Sequence, residues 1–267
     1  MITGIVSLQL MQFFMNVGSV SGTFGTMKKI AQIMDTDSEP DGGEPVPEVC
    51  ADIEFDNVSF TYAGGQDVIK NLSVKIPMGK VTAVIGGNGA GKSTLFKLLL
   101  RLYEPKSGEI RFGGDGIGKY SLTDWRDRFA VVSQRNPLIG STVRENIAYG
   151  LDREVSDEEL AETARRANFS GGQGQCISIA RAMLRNADYL LLDEATSNLD
   201  VVSEAEVTGA MDELMRDKTT IMIAHNYAAT RNADYIIVMK DGAVEAAGTP
   251  DELLKTNEYY RIFVKTL

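Results

Sequence analysis

Six residues, Gly86-Gly87-Asn88-Gly89-Ala90-Gly91, hold four glycines and run directly into Lys92, Ser93 and Thr94. Such a loop lets the backbone turn so tightly that successive N–H groups converge on phosphate oxygens, and a helix starting near Lys92 adds its positive end. At this spacing the Lys92 ammonium reaches β- and γ-phosphates and the Ser93 hydroxyl reaches Mg2+. Further along, Tyr189-Leu190-Leu191-Leu192 ends in Asp193-Glu194. Two carboxylates at the tip of an apolar run are costly unless something cationic sits there. Asp193 suits Mg2+, directly or through water, and Glu194 suits polarising an attacking water, as phosphoryl transfer requires. Each alone has a plain structural counterpart, a Gly-rich turn or an ordinary strand end. Together they describe chemistry on a nucleoside triphosphate.

These residues need a strand ahead of the loop, a helix behind it and another strand beneath the carboxylates. Val81–Ile85 is a continuous apolar run that reads as a strand buried on both faces, and Lys92–Leu102 has helical spacing. Ile53–Tyr62 and Ile69–Ile76 alternate as half-buried strands around a Gly-Gly turn. Strands are predicted at Phe129–Ser133, Tyr189–Leu192, Thr220–Ile223 and Tyr235–Met239, and helices at Glu158–Arg166, Gly172–Leu184, Ser203–Met215 and Glu252–Thr256. Ser156 with Glu159, and Thr249 with Glu252 behind Pro250, fit capping boxes. The alternation predicts an α/β fold with a mainly parallel sheet covered on both faces.

Ahead of that domain the composition changes twice. Residues 1–27 carry no Asp, Glu, Lys, Arg or His, long enough for a membrane helix, yet Gln9, Gln12, Asn16, Gly18, Gly22 and Gly25 interrupt them. Residues 1–35 read either as the end of a transmembrane helix or as an amphipathic helix packed on a soluble domain. Residues 36–50, with three of the seven prolines and a Gly-Gly pair among carboxylates, read as an acidic linker unable to support a packed element, leaving 51–267 as the main domain. The net charge of −10 is local: nine carboxylates and no Lys or Arg lie between Asp35 and Phe60, and outside them 28 acidic face 27 basic residues. A broad basic face is therefore not expected, and neither is a nucleic-acid partner. Cys50 and Cys176 form no framework or metal cluster, which suits a reducing cytosol.

The chain resembles the nucleotide-binding domain of ATP-binding cassette (ABC) transporters. The residues that set this family apart from other phosphate-loop proteins are Ser170-Gly171-Gly172-Gln173, followed by Ile177-Ser178-Ile179-Ala180-Arg181-Ala182 and Leu192-Asp193-Glu194-Ala195-Thr196-Ser197. The resemblance implies a phosphate-loop NTPase core with an antiparallel β subdomain and a helical subdomain at about 135–185, and it implies ATP and Mg2+ as ligands. By matching position, Tyr62 is the aromatic that stacks on adenine and Gln134 the loop glutamine that senses Mg2+ near the membrane-domain contact. Likewise Ser197-Asn198-Leu199-Asp200 is the loop linking two subunits' sites, with Asp200 its acidic member, and His225, the only histidine, is the switch that contacts the γ-phosphate. Glu194, His225 and Gln134 are thus the expected catalytic set. Gly87 through Thr94, Tyr62, Ser170–Gln173 and Asp200 bind nucleotide, and Ser93, Gln134 and Asp193 hold the metal.

In that family the serine-capped turn of one subunit closes on ATP held in the phosphate loop of another, so a second such domain is an expected partner. The resemblance to exporter ATPases also implies a transmembrane domain as partner and a place at the cytoplasmic face of a cell membrane. Several features depart from the pattern. Gln134 and Ser170 are 36 residues apart, shorter than exporter ATPases usually show, so the helical subdomain is expected to be shortened near 168/169. Phe169 stands where leucine is usual, Gly174 where a basic residue is usual, and Asn198 where a small residue is usual. The leading expectation is an ATP-hydrolysing exporter motor. A nucleotide-binding regulatory module with little hydrolysis, or a soluble non-transport ABC ATPase, are the alternatives, the DNA-repair type being disfavoured because the 101 residues from Lys92 to Asp193 leave no room for a coiled coil.

Overall fold

The computed structural model describes residues 11, 26–31, 34–35, 39, 42–133, 138–139, 142–168, 174–193 and 201–265, the side chains of 201–206 excepted. The chain divides into two compact units, Met1–Asp41 and Gly42–Leu267. In the first, residues 26–31 are helical. Among the described residues no helix is long and apolar enough to cross a membrane.

The second unit is built on two sheets. Strands β1 (Ile53–Thr61), β2 (Asp67–Ile76), β4 (Ser107–Phe112) and β5 (Asp115–Gly116) form an antiparallel sheet in the order β2-β1-β4-β5. Strands β3 (Val81–Gly86), β6 (Phe129–Val132), β7 (Tyr189–Asp193), β8 (Thr219–Ile223), β9 (Tyr235–Lys240) and β10 (Ala243–Gly248) form the second, in the order β10-β9-β3-β8-β7-β6. It is parallel except for β10, which returns antiparallel along β9. The helices among the described residues of this unit are α1 (Lys92–Leu99), α2 (Leu122–Asp127), α3 (Val143–Ile147), α4 (Asp157–Arg166), α5 (Gly174–Arg185), α6 (Val201–Met215), α7 (Pro250–Thr256) and α8 (Glu258–Lys265).

Side chains alternate along the parallel strands between two cores. Ala83, Ile85, Leu190, Leu192 and Met222 face the core shared with α5 and α6. Val84, Leu191, Ile221, Ile223 and Ile237 face the core shared with α1 and the antiparallel sheet. Both faces are buried, which is why these strands read as unbroken apolar runs. Helix α1 stops at Leu99, short of the predicted Leu102, because Arg101 takes the left-handed conformation (φ 51°). Its terminal carbonyls are met from α2 and the residues beside it. Trp125 Nε1 donates to Leu99 O (2.7 Å), and Arg126 donates to Leu100 O (3.0 Å) and Arg101 O (3.1 Å).

Two local expectations change. The Thr249–Glu252 capping box forms in full, with Pro250 in the first turn. The Ser156–Glu159 box is half made: Ser156 Oγ accepts from the Glu159 amide at 3.1 Å, but the Glu159 carboxylate pairs with Arg153 instead. The second half of the acidic linker is packed rather than loose. Glu44 bridges Tyr120, Val46 joins the core, Arg128 Nη1 donates to Pro47 O (3.0 Å), and the buried Tyr189 hydroxyl both donates to Ala51 O (2.6 Å) and accepts from Ala51 N (2.9 Å). Proline and carboxylate content argues against regular structure; it does not prevent a segment from being strapped down through its backbone.

Candidate nucleotide-binding site

Pairing across the parallel sheet sets the functional residues side by side. Val84 on β3 is in register with Ile223 on β8, and Ile223 with Asp193 on β7. The phosphate loop therefore leaves β3, His225 follows β8 and Asp193 ends β7 at the same carboxyl edge, where ligands of open α/β sheets bind. Glu194 follows Asp193 in the chain, and Gln134 follows β6 by two residues. Both lie outside the described residues, as do Ser170, Gly171, Gly172, Gln173, Asp200 and Phe169.

The loop itself is dictated by its glycines. Gly86 has φ 150° and lies so close to β9 that a Cβ there would stand 2.2 Å from Met239 O. Gly91 (φ 99°) starts α1 without a side-chain cap, and the first turn carries no acidic residue. With no side-chain cap and no carboxylate in its first turn, the N-terminus of α1 is suited to an anion, with the helix dipole behind it. Gly87, Asn88, Gly89 and Ser93 are exposed, while Ala90 and Thr94 are buried and anchor the loop. Lys92 is 6% exposed, and its Nζ donates to Gly86 O (2.9 Å) and Gly87 O (3.0 Å). Its ammonium is folded over the loop that a triphosphate would fill.

Tyr62 follows β1 directly, and its hydroxyl meets Thr94 Oγ1 at 3.1 Å. The base-stacking candidate thereby touches the first turn of the phosphate-loop helix. Asp193 is half-buried at its strand end and His225 is exposed. Sequence reading passed over Lys97 and Tyr103, both of which contact the Tyr62 ring. The signal available for Lys97 was its place three residues after Thr94, on the same flank of α1.

Two other concavities matter. A groove of about 390 Å3 runs beside β6. Leu102, Val131 and Tyr149 form its apolar part, Arg126, Arg181 and Arg185 supply cations, and Ser133, the residue before Gln134, also lines it. A larger polar cavity of about 670 Å3 lies where Asp188 and Lys218 precede β7 and β8, at the opposite end of those strands from the site. Ion pairs such as Arg166–Glu213 (2.7 Å) and Arg153–Glu159 (2.6 Å) line it, so it has no part in the phosphate chemistry.

A family profile described as ABC transporter matches residues 69–197, from β2 through the phosphate loop to the segment after Asp193-Glu194. The ATP-dependent lipid A-core flippase of Escherichia coli (strain K12) is 40% identical over 253 residues, covering 85% of this chain and 43% of that protein. The chain carries an ABC transporter nucleotide-binding domain. The flippase of Salmonella paratyphi A is 39% identical over 252 residues, with the same coverage. A solved structure of a bacterial Atm1-family ABC exporter with ATP bound superposes with a TM-score of 0.80 at 29% identity, over 89% of this chain and 46% of that one. The domain described here thus has the ABC ATPase fold, and the chain spans less than half the length of the curated relatives it matches. The match to the Escherichia coli flippase uses 253 aligned positions for 85% of this chain, about 227 residues, so about 26 positions of that relative have no counterpart here.

Proposed function

We propose that this domain hydrolyses ATP as the motor of a membrane exporter, closing as a dimer on nucleotide and opening after hydrolysis. The observation that carries the reading is the meeting of the glycine cradle, Lys92, Asp193 and His225 at one edge of three adjacent strands. Lys92 exchanges its loop carbonyls for β- and γ-phosphate oxygens. The bare N-terminus of α1 takes the same charge, and Tyr62 stacks on the base. Among the described residues no three His, Cys, Asp or Glu side chains gather into an all-protein metal site. The exposed Ser93 hydroxyl and Asp193 instead fit Mg2+, which takes few protein ligands and completes its shell with phosphates and water. When bound, that ion neutralises charge on the transferring phosphate.

Glu194, next to Asp193, orients the attacking water and accepts its proton, and His225 contacts the γ-phosphate. Gln134, the residue after the groove-lining Ser133, senses Mg2+, and the groove beside β6 is the seat proposed for a transmembrane partner at the cytoplasmic face. Ser170–Gln173 and Asp200 are assigned to the nucleotide of a second such domain, in a homo- or heterodimer. Glu194→Gln is expected to trap an ATP-dependent dimer, seen by scattering, with little turnover. Unchanged steady-state hydrolysis would remove the assigned base.

The roughly 26 positions missing relative to the flippase favour a second reading, a nucleotide-responsive regulatory module with little hydrolysis. ATPase measurement with and without membrane partner separates the two.

A further inference from the structure

The Tyr62 ring is held by side chains to which no role has been given. Phe60 and Tyr103 stand nearly perpendicular to it, at centroid distances of 4.8 Å and 5.2 Å, and touch each other at 5.4 Å. Lys97 Nζ lies over the ring, 5.2 Å from its centroid, and donates to the Tyr62 hydroxyl at 3.3 Å. Among the described residues no carboxylate pairs with Lys97, so the ring and its hydroxyl are the partners its ammonium has. Thr94 and Lys97 are three residues apart on α1, so the helix that turns its N-terminus to the phosphates grips the ring with its flank.

An ammonium over an aromatic face and perpendicular rings against it are both attractive arrangements, and together they leave a half-exposed tyrosine little freedom to turn. A platform already fixed before its ligand arrives spares the cost of ordering it on binding. We infer that Lys97 is a positioning residue for the nucleotide base: it holds the Tyr62 ring in place, in step with the phosphate loop, rather than touching phosphate. The inference rests on Tyr62 being the base platform.

The test compares Mg-ADP with Mg-pyrophosphate, which has no base, by displacement of a fluorescent nucleotide from the full chain. Lys97→Met is expected to weaken ADP about two- to fivefold, the range of a partly exposed cation–ring contact, and to leave pyrophosphate unchanged. Lys97→Arg, which keeps a cation over the ring, is expected to restore ADP. Equal losses for both ligands would mean that Lys97 acts on phosphate charge, and no loss for ADP would mean that the ring needs no support; either overturns the inference, as does a loss that Lys97→Arg fails to repair. Tyr62→Ala tests the underlying reading separately. If it leaves ADP affinity intact, the platform itself is wrong, whereas a loss there without one in Lys97→Met sinks only the role of Lys97.

Discussion

A methyl group at position 91 has no room. Gly91 sits at φ 99°, and a Cβ there would lie 2.6 Å from Ile69 Cδ1 and 3.2 Å from Val68 O. Gly91→Ala is therefore expected to cost about 1–3 kcal/mol of folding stability, through a backbone conformation that side chains resist and a contact with β2. Urea unfolding monitored by Trp125 fluorescence would measure it, and an unchanged midpoint would contradict the packing described. This glycine and its neighbours were legible in the sequence because a phosphate cradle is local: its residues are consecutive and each conformation follows from residue type. Lys97 and Tyr103 were not legible, because their meeting with Tyr62 spans 35 and 41 residues of sequence and depends on how α1 lies against β1. Glu159 misled for a related reason. Its amide obeys the local capping rule, while its carboxylate answers to Arg153.

Elements were readable where burial is two-sided and obscure where a partner imposes the conformation. Strands β3, β7, β8 and β9 stood out as apolar runs. Strand β10, with the sequence Ala-Val-Glu-Ala-Ala-Gly, has weak strand propensity and exists because a tight turn at Asp241 (φ 50°) and Gly242 (φ 86°) folds it back on β9. Helices α2 and α3, at six and five residues, are too short for periodicity to reveal. Just after the packed half of the linker, Ala51 is bonded to Tyr189, whose hydroxyl is pushed up to about 12 by burial. Because its folded value lies above the ordinary 10.0, the contribution is complete below pH 10 and fades as pH rises from there towards 12. Tyr189→Phe should flatten that alkaline decline and cost about 1 kcal/mol at neutral pH for the lost bonds to Ala51. Denaturation curves at pH 8 and pH 11 would test both. A mutant as alkali-sensitive as the parent would clear Tyr189 of responsibility.

For the whole molecule, nucleotide binding and folding are linked. Saturating Mg-ATP, at about a hundred times its dissociation constant, should add about 2.7 kcal/mol of stability and raise the melting temperature by several degrees. Lys92→Ala should abolish that shift, since it removes both the phosphate ligand and the bonds to the Gly86 and Gly87 carbonyls. A shift of the same size in the variant would mean that nucleotide binds elsewhere. The overall architecture was legible from the alternation of strands and helices together with the Ser170–Gln173 and Asp193-Glu194 motifs. The second anion site expected at Ser170–Gln173 lies outside the described residues.

The fastening of Ala51 to Tyr189 carries a mechanical consequence. Tyr189 is the first residue of β7 and Asp193 the last, so the anchor and the carboxylate are the two ends of one five-residue rod about 16 Å long. The same strand therefore joins the packed segment around Ala51 at its foot to the candidate phosphate-binding edge at its head. The strand is thus a built-in tie bar between Ala51 and the carboxylate proposed for Mg2+.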